Sequence, residues 1–451
     1  MKPQLNMLAC AIALALVAGQ SHAATAEEAA ALKTTLTPFG AEKAANKDGT
    51  IPAWEGVYNK VAPGYKPGDA RADPFASEKP VLSITGKNVD QYAAKLSAGT
   101  VAMLKKYPTY RLDVFPTHRT GGAPSWVYDN TFKNATSAKT VDDGYGVDGA
   151  YGGIPFPIPK TGYEAIWNHR LAWVGDTAIY ASRTWIVPPD GKRTLANEAE
   201  QTLTRPYYFK EGSLDKMDGI YQYGRLITRA PASKAGEGIL AHDGLNAAAP
   251  RALWQYLVGQ RRVRRAPSVA YDTPDSVASG IGFVDEAFML FGPIDHHQLK
   301  LIGKKEMYIP YNNNRAASAK IADLMGPQFL NPDLVRWELH RVWEVEATVA
   351  PGKRHVVSKR RYYLDEDTWQ IIQIDGYDAQ GQIWRSNYAL TLLAPDLPAL
   401  LANVMWGVYN VQTGAYLLNA SANETPNQYK AIPRLPLSYF GPEELANQGA
   451  R

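Results

Sequence analysis

From Gly162 onward, short runs of alternating apolar and polar residues are cut at close intervals by turn sequences: PPDG at 188–191, APGK at 350–353, DED at 365–367, DAQG at 378–381 and QTG at 412–414. This rhythm is the strongest constraint on the fold. Runs rich in β-branched and aromatic residues, punctuated by Gly, Pro and Asp, read as strands. Strands joined by such tight turns must run antiparallel, because a parallel neighbour needs a long crossover. The spacing predicts strands at 167–174, 180–187, 201–210, 219–229, 237–243, 252–258, 261–265, 300–308, 337–349, 354–364, 369–377, 382–391, 404–411 and 415–419. The expected fold class is therefore β-rich (α+β). The architecture is a large curved, incompletely closed antiparallel β-barrel with a few covering helices. Helices are expected at 25–32, 89–106, 314–325 and 396–401.

The chain divides into four parts. Residues 1–23 read as a cleaved secretory signal peptide: Lys2, an apolar stretch from Leu8 to Val17, then Ser21, His22 and Ala23. The apolar run continues past Cys10 instead of ending there, which argues against lipidation; without Cys10 the remaining chain has no cysteine and no thiol chemistry. Residues 24–150 form a helical and irregular N-terminal arm, rich in Gly and Pro between Pro38 and Pro80 and pinned by Trp54, Tyr58 and Tyr65. Residues 151–422 form the antiparallel sheet, and 423–451 a C-terminal surface tail. The Gly-rich stretch 144–153 leads into prolines rather than a helix, so it reads as a linker and not a phosphate cradle. The charge is close to balanced, 48 Lys+Arg against 44 Asp+Glu, which argues against nucleic-acid binding. Beyond the leader, no segment reads as a transmembrane helix.

Signatures of catalysis are sparse. The chain contains no Gly-x-Ser-x-Gly elbow, no His-Glu-x-x-His helix and no P-loop. His296, His297, His340 and His355 have no spacing that requires a shared metal. The most informative strand is 336–346. Period two puts Arg336, Glu338, His340, Glu344 and Glu346 on one face, and Trp337, Leu339, Arg341, Trp343 and Val345 on the other. The charged face is expected to be a solvated ladder paired with the basic residues of 354–363. Arg341, alone among apolar neighbours, is expected to snorkel or to bind an anionic head group. Arg261, Arg262, Arg264 and Arg265 follow an apolar run and read as a basic rim beside an apolar cavity, or as the solvent-facing end of a strand.

Five segments resemble a bacterial family of unknown function described as outer-membrane lipoprotein-sorting-protein-like. They are LTPFGAEKAANKDGTIPAW (36–54), GIPFPIPKTG (153–162), ALWQYLVGQRRVRRAP (252–267), GKKEMYIPYN (303–312) and ELHRVWEVEAT (338–348). The resemblance implies a Lol-carrier-like fold. It also implies envelope trafficking of hydrophobic compounds beside outer-membrane proteins and resistance-nodulation-division-type permeases. It brings no catalytic residue, metal or cofactor. The expected function is that of a carrier for a lipid-like or other hydrophobic ligand, in the periplasm or peripheral at the outer membrane. The expected ligand-binding residues are Trp254, Tyr256, Arg262, Arg264, Trp337, Arg341 and Trp343, with Trp167 and Trp173 as further lining candidates. Two alternatives stay open. One is a scaffold or adaptor of an envelope efflux or uptake complex, docking through the basic strand. The other is a carboxylate-dependent hydrolase using Glu338, Glu344 or His340.

Overall fold

A computed structural model describes residues 23–247, 252–266, 271–420, 423–425 and 428–449; the leader expected at 1–23 lies, but for Ala23, outside the described residues. The described residues form a β-rich structure dominated by one sheet of 16 strands. In chain order these are β1 (Leu82–Thr85), β2 (Arg111–Val114), β3 (Thr177–Val187), β4 (Thr194–Thr204), β5 (Ile220–Ala230), β6 (Gly238–Gly244), β7 (Ala252–Leu257), β8 (Arg262–Arg265), β9 (His297–Pro310), β10 (Trp337–Val349), β11 (Lys359–Asp365), β12 (Ile371–Tyr377), β13 (Ile383–Ala389), β14 (Met405–Asn410), β15 (Tyr416–Ala420) and β16 (Lys430–Ala431).

The strand order is β1-β2-β10-β11-β12-β13-β14-β15-β3-β4-β5-β6-β7-β8, with β9 also on β10 and β16 on β3. Two runs of sequential neighbours, β3 to β8 and β9 to β15, are thus joined where β15 pairs with β3. Every pairing is antiparallel except one parallel bridge, Val114 to Trp337 between β2 and β10, so the tight turns do dictate strand direction. The sheet does not close: its path ends at β1 and β8. The N-terminal segment supplies two of the strands, and Lys430–Ala431 of the tail supplies another.

Some local expectations fail for identifiable reasons. Residues 167–174 are not a strand; Gly162–Arg170 is a helix, α1. Its start carries a capping box: Thr161 Oγ1 accepts from the Glu164 N–H (3.2 Å), and the Glu164 carboxylate accepts from the Thr161 N–H (3.3 Å). Ile166 and Trp167, adjacent in sequence, are both at 0% exposure, as is Leu171, a burial pattern that a helix face gives and alternation does not. The helix expected at 89–106 is broken: Leu96 is extended, and Ser97 caps a new helix, Ala98–Lys106, by accepting from Thr100 N–H. Residues 314–325 form two single turns, Asn314–Ser318 and Ile321–Leu324. Residues 396–401 contain no helix; Ala399–Leu401 pairs with Leu392–Ala394 in a small ribbon. Strand β4 starts earlier than expected and ends before Pro206, which has no N–H to continue the ladder.

The largest correction concerns β10, whose charged face is buried. Glu338 and His340 are 0% and 1% exposed. The chain at 115–120 lies over them, with the His118 N–H donating to Glu338 (2.8 Å). Arg336 and Asn312 also donate to Glu338 (2.5 and 3.0 Å), and His340 Nε2 lies 3.0 Å from it. A buried carboxylate needs such partners, and they hold this one below the ordinary glutamate range although burial pushes it up. The ladder forms only further along, where Arg361 pairs with Glu344 and, at 2.9 Å, with Glu346.

Candidate functional site

Strands β3 to β7 alternate, so one residue in two points to each face. Register puts Leu203, Gly224, Ala241 and Leu253 in one cross-strand row, and Gln201, Leu226, Ile239 and Gln255 in the next. These residues form the floor of a cavity of about 380 Å³. Its wall includes Tyr180, Ser182 and Thr184 of β3 and Trp406 of β14, and its end is formed by His169 and Arg170 of α1 with Ala172 and Val174 just beyond it. A flap, residues 273–292, covers it with Val284, Ala287, Phe288, Leu290 and Phe291. At the centre of the floor, a side chain on Gly224 would meet no heavy atom within 4 Å.

The flap has no strand of its own and is held by charge. Asp285 receives both Arg360 Nη atoms (2.5 and 3.0 Å) and lies 2.9 Å from His355 Nε2. Burial would raise the Asp285 carboxyl, but Arg360 and His355 hold it well below the usual carboxylate range. Glu286 is gripped by Arg385 through Nε (2.5 Å) and Nη2 (2.6 Å). Between these anchors and the cavity, Phe288 and Met289 adopt φ of 53° and 70°. Bulky residues pay for left-handed backbone, of order 1–3 kcal/mol each, and the ion pairs offset that cost. Phe288 meets Trp406 across the cavity, ring centroids 5.8 Å apart.

One end is polar and positive. Arg205 donates to the carbonyls of Ala172 (2.5 Å) and Arg170 (2.7 Å), and Arg170 to that of Gly292 (2.7 Å). The Nε atoms of both have no partner, nor do Ser182 Oγ and Trp406 Nε1. His169 accepts from the Ile371 N–H through Nδ1 (3.0 Å). Burial and the two arginines press its pKa to about 3, so it is neutral at pH 7.

The seven expected ligand-binding residues fall in three places. Trp254 and Tyr256 lie on the opposite face of β7 from Leu253 and Gln255. There they pack with Tyr223 and Leu240 beneath Phe440 and Leu445 of the C-terminal segment. Arg262 and Arg264 are exposed on β8; Arg264 is paired with Gln255, so both stand on the cavity's face at the sheet's open end. Trp337, Arg341 and Trp343 are on β10 and do not line the cavity. Trp337 is core, Trp343 stacks on Trp369 (5.7 Å), and Arg341 donates to Ala44 O (3.2 Å) beside Glu42. Trp167 is buried in α1, and Trp173 packs edge-on against Trp126. Trp254→Leu should therefore cost about 1 kcal/mol of stability, an ordinary single-substitution effect, and leave occupancy of the cavity unchanged, as read by denaturant unfolding and ligand titration.

Glu338, Glu344 and His340 lie outside the cavity, and both glutamates are charge-paired. His340, Asp365 and Asp367 bring ligand-type atoms within 4.8 Å of one another. Arg119 takes both Asp367 oxygens (2.6 and 2.9 Å), and Tyr311 and Thr368 donate to Asp365 (3.0 and 2.7 Å). This is a buried ion-paired network. Burial and the neighbouring Asp367 push the Asp365 carboxyl up to about 6.

The family model described as a protein of unknown function, DUF1329, matches residues 83–446. An uncharacterized protein of Pseudomonas aeruginosa is 39% identical over 447 residues, spanning 98% of this chain and 97% of its own length. Among solved structures, the chain is similar to a DUF1329 family protein from Desulfovibrio piger (13% identity, 63% of this chain and 97% of that one, TM-score 0.42). It is likewise similar to a putative outer membrane lipoprotein-sorting protein domain from Vibrio parahaemolyticus (14%, 63% and 98%, TM-score 0.42). A third similarity is to a LolA superfamily protein from Nitrosomonas europaea (12%, 62% and 98%, TM-score 0.33). With its model matched over most of the sequence and a full-length relative at this identity, the chain belongs to the DUF1329 family.

Proposed function

We propose that this protein is a periplasmic carrier that shelters a hydrophobic, lipid-like molecule in the cavity beneath the 273–292 flap, moving it between envelope components. The observation that carries the reading is the cavity itself: about 380 Å³, floored largely by aliphatic side chains with Gln201 and Gln255 among them, and kept open at Gly224. Each methylene transferred from water into such a space stabilises binding by about 0.8 kcal/mol, so affinity needs no covalent chemistry. The carboxylates that a hydrolase would use, Glu338 and Glu344, are committed to arginines and lie elsewhere, which favours binding over catalysis. Export rests on the leader-like first 23 residues; among the described residues no helix is long and apolar enough to cross a membrane. The exposed arginines at the sheet's open end, Arg262 and Arg264 with Arg261 and Arg265, suit an acidic surface on an outer-membrane protein or a permease.

Trp406 gives the test. A bromine-labelled acyl chain quenches tryptophan at contact. Titrating it into the protein should quench a saturable component of the fluorescence, and Trp406→Phe should remove that component. Unchanged quenching in the variant, or no saturable quenching in the wild type, contradicts the reading.

A further inference from the structure

We infer that the occupant is a single-chain amphiphile with an anionic head, carboxylate or phosphate, seated against Arg170 and Arg205; this rests on the carrier reading. The argument starts from how this molecule treats its other buried arginines. Arg71, Arg119, Arg336, Arg341, Arg360 and Arg385 each have a carboxylate partner, respectively Asp396, Asp367, Glu338, Glu42, Asp285 and Glu286. That is the physical norm, because a buried cation without a counter-charge costs several kcal/mol. Arg225 is a further exception, away from Gly224's face of the sheet: its guanidinium lies 4.3 Å from the Tyr439 ring and donates to the Tyr439 carbonyl (3.4 Å), with Nε and Nη2 unpartnered.

Arg170 and Arg205 are exceptions at the cavity. They are 9% and 2% exposed, and among the described residues neither has a carboxylate within ion-pair distance. Three backbone carbonyls take part of their donor capacity, and both Nε–H groups stay unused. A guanidinium presents five N–H donors in a planar fork that matches a carboxylate or a phosphate. Arg170 is further fixed by Trp167 and Tyr221, whose rings lie 5.2 and 5.8 Å away. Two held, uncompensated cations at one end of an apolar space are complementary to a head that is negative and a tail that is not. Two carboxylates, Asp243 and Asp275, also line the cavity, so the head must compete with them for position.

Volume sets the number of chains. At about 380 Å³ the cavity lies near the lower end of small-ligand pockets, about 300–1,000 Å³, which suits one medium acyl chain better than two or three.

The test is a set of competition titrations at neutral pH against the bromine-labelled chain, using dodecanoate, dodecyl phosphate, dodecanol and a two-chain phosphatidic acid with tails of the same length. Charge-assisted hydrogen bonds are about twice as strong as neutral ones, so at least one of the two single-chain anions should bind about tenfold or more tighter than dodecanol. Whichever anion binds tighter identifies the head. Arg170→Met should bring that anion down to the dodecanol level, and the wild-type ligand series stands if the variant does not fold. The two-chain lipid should bind about tenfold or more weaker than the better anion. Dodecanol binding as tightly as both anions overturns the assigned head and leaves the carrier reading standing. Two-chain lipid binding as tightly overturns the single chain. Failure of all four ligands, with no quenching by the labelled chain, overturns the carrier reading itself.

Discussion

Arg385→Met is expected to destabilise the protein by about 3–5 kcal/mol, the usual consequence of stranding one member of a buried ion pair. Arg385 is 2% exposed, and so is its partner Glu286. The guanidinium makes two contacts to that carboxylate, donates to Ile281 O (2.9 Å) and lies 4.7 Å from the Phe283 ring. Methionine keeps much of the volume but leaves the Glu286 charge uncompensated at the root of the flap. The local result should be faster hydrogen exchange across 273–292 and faster ligand release. The double variant Glu286→Met, Arg385→Met removes both charges and should recover most of the loss, because an apolar replacement of a buried pair is often near neutral. Denaturant unfolding of the two single variants and the double one measures this. A double variant no more stable than Arg385→Met would contradict the ion-pair account.

The companion anchor fixes a pH dependence. Asp285 is held below its ordinary value in the folded state, so folding depresses its pKa. Its contribution is present above the unfolded carboxylate pKa, about 3.9, and is lost as pH falls through the lower folded value. The flap should stay anchored through neutral and mildly acidic pH and loosen only in strong acid.

Gly224→Trp should nearly abolish binding while leaving the fold intact. Gly224 is mid-strand on the cavity floor, and the space above it is empty to 4 Å. An indole there occupies the room of several methylenes. At about 0.8 kcal/mol each, displacing three or four of them weakens binding on the order of a hundredfold. Stability should not fall and should rise by up to about 1 kcal/mol, since glycine is a poor strand former and tryptophan a good one. A variant that binds as well as wild type would place the ligand elsewhere.

Much of the fold was readable because each strand announces itself locally. Alternation and turn chemistry reveal β3 to β7 and β10 to β15, and charge pairing anticipates Arg361 with Glu344 and Glu346. The misreadings share a cause. Trp167 and Leu171 fit a two-residue and a four-residue period equally over so short a run, and the deciding signal was the Thr161–Glu164 capping box. Glu338 and His340 look like surface residues until the chain at 115–120, remote in sequence, lies over them. The candidate site was legible in kind but not in detail. Aromatic and aliphatic richness suggests an apolar hollow. Which face of β7 borders it depends on where the C-terminal segment packs, and Phe440 and Leu445 cover the Trp254 and Tyr256 side. Arg170 and Arg205 carry no sequence signature, because what marks them is the partner each lacks. The flap has no periodicity at all; its acidic pair, Asp285 and Glu286, gains meaning only when Arg360 and Arg385 arrive from strands far along the chain.

The most direct test of the carrier account is native mass spectrometry of the protein recovered from the periplasm, followed by solvent extraction of whatever remains bound. The account predicts a reproducible adduct, one amphiphile per chain, released by denaturation and absent from Gly224→Trp prepared in the same way. A wild-type protein that is consistently empty, and that takes up no fluorescent fatty acid when one is offered, would contradict it.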